Sequence, residues 1–151
     1  MNIKREIEIP FPKKENFNLP EGIYRCITKQ VLLMNEPYKD QTDKSIRIKW
    51  RVLGYDNLAS ETVIAKRYPN SLEPHSLLRN DLTSWLGEEG LARLVVDGKL
   101  QLNALIGLEA DIQTQCIAGH GYKNPFVYPI RIQKPGTFAA KVIPAVRNFV
   151  P

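Results

Sequence analysis

Ser45-Ile46-Arg47-Ile48-Lys49-Trp50-Arg51-Val52 alternates without a break. Its even-numbered positions are all apolar, and its odd-numbered positions are a serine, two arginines and a lysine. Successive side chains of a strand point to opposite faces. The stretch therefore predicts a half-buried strand, with Ile46, Ile48, Trp50 and Val52 in a core and Arg47, Lys49 and Arg51 turned to solvent. A slip of one residue would bury three cations, so the register is tightly specified. A row of cations on a sheet surface suits a polyanion better than a neutral small substrate.

Strand patterns continue on both sides. Upstream, residues 1–20 carry Pro10, Pro12 and Pro20 and read as an extended arm. A long first strand is expected over 23–34, with a bulge because apolar residues fall on both of its faces. The polar stretch 35–44 is a loop with Tyr38 at its centre. Downstream, Gly54-Tyr55-Asp56-Asn57 reads as a turn, and a third strand is expected over 61–68. Leu78, Leu82 and Trp85 recur at helical spacing, which predicts a helix starting near Pro74 and stopping at Gly87. A second short helix is expected over 89–96. The fourth strand, 105–116, should turn Ile106, Leu108, Ala110 and Ile112 inward and Glu109 and Asp111 outward. After a glycine-rich turn, the fifth strand spans 125–132. It places Phe126, Tyr128, Ile130 and Ile132 on one side and Pro129 at a bulge, because proline has no amide hydrogen to give a ladder.

With 151 residues, 43% hydrophobic and 25% charged, the chain is expected to form one globular domain with its own core. Its bounds are 21–135, between the arm at 1–20 and a tail at 136–151. The formal net charge of +5 favours an acidic partner. Met1-Asn2-Ile3-Lys4-Arg5-Glu6 lacks the apolar run of a secretory signal, and no window is long and apolar enough for a membrane span. A cytoplasmic protein without membrane contact is expected. Cys26 and Cys116 each fall in a strand pattern with no CxxC spacing, so both read as small buried residues in a reducing compartment.

The element order is strand-strand-strand-helix-strand-strand, and short local motifs accompany it. Pro20-Glu21-Gly22-Ile23-Tyr24-Arg25 opens the first strand. Ser71-Leu72 and Ser76-Leu77-Leu78 lead to Leu82-Thr83-Ser84-Trp85-Leu86-Gly87, and Leu105-Ile106-Gly107 opens strand four. Over residues 20 to 135 the chain resembles small OB-fold proteins of phages and prophages that are similar to single-stranded-DNA-binding proteins. The resemblance implies an all-β fold with one or two helices, a five-stranded OB-fold barrel. It also implies binding of a single strand across strands two and three, between the loops that join strands 1–2 and 4–5. Bacterial single-strand binders commonly end in an acidic partner-recruiting tail, whereas residues 139–151 here are apolar and basic.

Single strands are held by a cationic groove and by aromatic platforms for the bases. The residues available are Arg47, Lys49 and Arg51 on strand two, with Lys44 at its start, and Lys66, Arg67 and Tyr68 at the end of strand three. Tyr38 and Lys39 lie in the first long loop, and Tyr122 and Lys123 in the last. Tyr55 is a further stacking candidate, whereas Trp50 and Trp85 sit on apolar faces and read as core. The competing explanation for such cations is that they solubilise the sheet and discourage edge pairing.

Catalytic signals are weak. His75 and His120 have no metal-binding spacing, no GxSxG elbow surrounds a serine, and Gly119-His120-Gly121 lacks the ending of a phosphate loop. The expected function is non-catalytic, sequence-tolerant binding of single-stranded DNA in a phage-type replication or recombination system, without cofactor or metal. The alternative is an OB-fold interaction or scaffold module. RNA in place of DNA, a homo-oligomer, and contacts with replication or recombination proteins are all left open.

Overall fold

The computed structural model describes residues 19–37, 44–55, 61–119 and 122–137, with the backbone alone at 36–37, 117–119 and 122–126. Five long strands form one antiparallel sheet: β1 (Ile23–Pro37), β2 (Lys44–Val52), β3 (Val63–Pro69), β6 (Glu109–Gly119) and β7 (Tyr122–Gln133). Their order across the sheet is β3-β2-β1-β6-β7. Between β3 and β6 lie helix α1 (Leu77–Arg93), a two-stranded ribbon of β4 (Val95–Val96) and β5 (Lys99–Leu100), and a 3-10 turn at Leu102–Leu105.

β1 organises the sheet because it changes partners along its length. Ile23 to Ile27 pair with β6, and Cys26 to Pro37 pair with β2. The change coincides with a bulge between Thr28 and Gln30, which bends the strand and raises its twist. The alternation of β2 is realised in full. Ile46, Ile48, Trp50 and Val52 are buried, and Arg47, Lys49 and Arg51 lie half-covered on the other face. Tyr24, Cys26, Ile64, Ala110, Ile112 and Ile132 complete the sheet's share of the core. Leu19, assigned by its sequence to the N-terminal arm, is also buried there.

α1 covers one end of this core with Leu78, Leu82, Trp85 and Leu91. The Trp85 ring meets Trp50 edge-on, and its Nε1 donates to the carbonyl of Glu109 at 2.9 Å. The helix starts later than expected. Ser76 is the N-cap and accepts from the Arg79 amide, while His75 takes a positive φ of 71° just before it. Gly87 stops the first helical stretch as expected, its backbone at φ 78° and ψ 165°, and a second helical stretch follows it to Arg93 rather than to Val96. Val95 and Val96 belong to the ribbon, turned by Asp97 and Gly98, both at positive φ as a type I′ turn requires.

A closed barrel was expected, but the sheet is not closed. β3 and β7 approach each other and α1 packs against both, yet no ladder joins them among the described residues. Side chains meet there instead: Lys66 of β3 lies with its Nζ 5.2 Å from the centre of the Tyr128 ring of β7.

Two further expectations fail for local reasons. β6 begins at Glu109, after the 3-10 turn, so Ile106 and Leu108 precede the strand and are exposed. On β7, Pro129 sits beside a register shift as expected, Gln113 facing Arg131 and Thr114 facing Pro129. That bulge reverses the phase of the strand, so Ile132 and Pro129 are buried while Ile130 is exposed.

Candidate nucleic-acid interface

Register defines the outer surface around β2. In antiparallel sheets, directly paired residues share a face. Arg47 is flanked by Leu32 of β1 and Arg67 of β3, Lys49 by Gln30 and Ala65, and Arg51 by Ile27 and Val63. These residues form a lattice three strands wide. Its steps are about 6.6 Å along the strands and about 4.8 Å across them.

Arg47 opposite Arg67 is the most informative pair. Their Cβ atoms are about 4.5–5.5 Å apart, and like charges so placed disfavour the sheet. Arg67 donates from Nη2 to Ser45 Oγ at 3.0 Å. No carboxylate of the described residues lies within ion-pair distance of Arg47 or Lys49, and Arg47 Nε is covered without a hydrogen-bond partner. Arg51 Nε is covered in the same way, but Arg51 has a carboxylate: its Nη1 is 3.9 Å from Glu61 Oε2, and Glu61 also holds Lys29. Lys44 is exposed at the head of β2.

Two candidates belong to the core. Lys66 is 4% exposed and Tyr68 is 1% exposed, so neither reaches a ligand on this surface. Asp81 of α1 explains both. Its Oδ2 accepts from Lys66 Nζ at 2.9 Å and from the Tyr68 hydroxyl at 2.7 Å. Asp81 stands three residues after Leu78 and four before Trp85, on the helix's apolar stripe, where a carboxylate requires a buried partner. That spacing was the signal available in the sequence. Tyr55 is buried as well and meets Tyr24 edge-on at 5.2 Å.

Tyr38 and Lys39 lie outside the described residues. Tyr122 and Lys123 open β7, where the backbone alone is described. The lattice itself holds no aromatic residue.

Where β1 pairs with β6 the outward cation is neutralised. Arg25 sits opposite Asp111, donates from Nε to its Oδ1, and lies 3.8 Å from Glu109. The hydrogen bond to Asp111 holds the Arg25 guanidinium's pKa above its ordinary value. Asp111 was expected on an exposed acidic wall. It does occupy the outer face, but Arg25 and the turn at Gly136, whose amide donates to Oδ2 at 2.8 Å, cover it completely.

The cysteines divide: Cys26 is buried as expected, whereas Cys116 is exposed. Burial pushes the Cys26 thiol up, and burial with help from Tyr55 and Cys26 pushes the Tyr24 hydroxyl up to about 12. Both groups therefore stay protonated at neutral pH. Among the described residues, no three His, Cys, Asp or Glu side chains gather as metal ligands, and no helix is long and apolar enough to cross a membrane. Compared with known proteins, the chain matches no family model and no curated protein.

Proposed function

We propose that this protein binds single-stranded DNA, without catalysis and without sequence preference, on the outer face of β1, β2 and β3. The observation that carries the proposal is Arg47 set directly opposite Arg67, with Lys49 next along β2 and no carboxylate of the described residues pairing with Arg47 or Lys49. Cations that the described residues leave without a carboxylate, Arg47 and Lys49, gain their counter-charge from a bound polyanion. The strand order β3-β2-β1-β6-β7, with a helix between β3 and β6, supports an OB-fold reading. OB-folds are partly open barrels that take oligonucleotides on strands two and three. Lys44, Arg47, Lys49 and Arg67 then neutralise phosphates and release counterions, while Tyr38, between β1 and β2 in the sequence, and Tyr122, at the head of β7, stack bases. The resemblance to phage and prophage proteins supports a role in replication or recombination.

The test is a fluorescence titration of labelled oligo-dT and of duplex DNA over a range of salt concentrations. Tighter binding of the single strand is expected. Replacing Lys49 by alanine should lower the magnitude of its salt slope by about 0.7, the single-strand value per phosphate contact. Unchanged affinity and slope would favour the interaction-module alternative.

A further inference from the structure

The composition of the lattice also bears on which side of the strand faces the protein. Single strands are often held base-first, with aromatic rings of the sheet stacking the bases. Every position of this lattice is described, and none can serve so: Leu32, Gln30 and Ile27 lie on one side of Arg47, Lys49 and Arg51, and Arg67, Ala65 and Val63 on the other. Trp50 of β2, Tyr68 of β3 and Tyr55 just after β2 are all buried and packed or bonded within the core. Arg side chains could stack on bases, but a neutral base supplies no counter-charge to Arg47 and Lys49, which no carboxylate of the described residues pairs with, nor an acceptor to the covered Arg47 Nε. A phosphate supplies both, and guanidinium groups bind phosphate oxygens through paired N–H donors. Successive cations on β2 stand about 6.6 Å apart, on the scale of one nucleotide of extended backbone. Lys49 is followed outward by Gln30, a neutral donor that also serves a phosphate oxygen.

We infer that the single strand lies on this face backbone-first, its phosphates against Arg47, Arg67 and Lys49 and its bases turned away from the sheet. The inference rests on the proposed single-strand binding and specifies its ligand chemistry as the phosphodiester chain itself. Base identity is then unread at the sheet, and any stacking falls to residues outside the lattice.

Three labelled strands of equal length separate the possibilities: oligo-dT, an abasic deoxyribose-phosphate strand, and oligo-dT with neutral methylphosphonate linkages. Each is titrated against the full chain and against Arg47→Gln, a change on the outer face, with circular dichroism confirming that the variant is folded. Comparing the two proteins on each strand cancels contributions from the loops. The expected result is a loss of affinity that agrees within about twofold on oligo-dT and the abasic strand, with a salt slope smaller by about 0.7 on both, and no loss on the methylphosphonate strand. A loss confined to the two strands that carry bases, or failure of the wild type to bind the abasic strand, overturns the backbone-first orientation and leaves single-strand binding standing. If Arg47→Gln binds oligo-dT as the wild type does, or neither protein binds it, single-strand binding on this face is itself refuted, and the orientation with it.

Discussion

Arg25 and Arg47 both point outward from central strands of one sheet, yet they meet opposite fates. Across the ladder from Arg25 is Asp111, fully buried, with Glu109 beside it. Across from Arg47 is Arg67. The first arginine is neutralised within the fold, and the second has no carboxylate of the described residues to pair with. Lys66, one residue from Arg67, belongs with Arg25, because Asp81 claims it in the core. A cation on a sheet is assigned by the residue its register sets against it. Neither its own type nor its strand decides.

The comparison breaks most readily at Lys66. Replacing Asp81 by alanine leaves the ammonium of buried Lys66 and the Tyr68 hydroxyl without their acceptor. A loss of about 3–5 kcal/mol in urea unfolding is expected. Adding Lys66→Met to an Asp81→Leu variant should recover most of it, because an apolar pair of similar volume replaces the charges. A loss below about 1 kcal/mol would mean that Lys66 turns to solvent, and it would return to the candidate interface.

A smaller effect is expected at Arg25. Asp111→Asn keeps the shape but removes the charge facing a guanidinium that is 35% exposed and able to hydrate. About 1–3 kcal/mol should be lost, chiefly from the Oδ atoms' bonds to Arg25 and Gly136. The smallest effect is at Arg47. Arg47→Gln removes a like-charge pair, so stability should change by less than about 0.5 kcal/mol and in the stabilising direction. A clear destabilisation would show that Arg47 serves the fold as Arg25 does.

Much of the framework was legible from periodicity. The β2 alternation placed four core residues and three outward cations, the Leu78-Leu82-Trp85 spacing placed the helix on the core, and Pro129 announced its bulge. What was not legible depended on contacts distant in sequence. Lys66 and Tyr68 look like a strand end open to solvent until α1 sets Asp81 beneath them. Asp111 looks exposed until the turn at Gly136 covers it. Asp97-Gly98 carries a type I′ signal, but the apolar residues before it also suit the helix expected over 89–96. Of the candidate interface, the cations of β2 were visible. Their pairing with Arg67 and with a non-aromatic surround was not, since it follows from a register that the alternation of one strand does not fix.

Single-strand binding on the β1–β2–β3 face is tested by the affinity of one variant for oligo-dT across salt concentrations: Arg47→Gln, Lys49→Gln and Arg67→Gln combined. These side chains lie on the outer face, so the fold should persist by circular dichroism and urea midpoint. The account predicts markedly weaker binding and a salt slope smaller in magnitude by about 2, from three phosphate contacts at about 0.7 each. A folded variant that binds oligo-dT with the wild-type affinity and slope would contradict it.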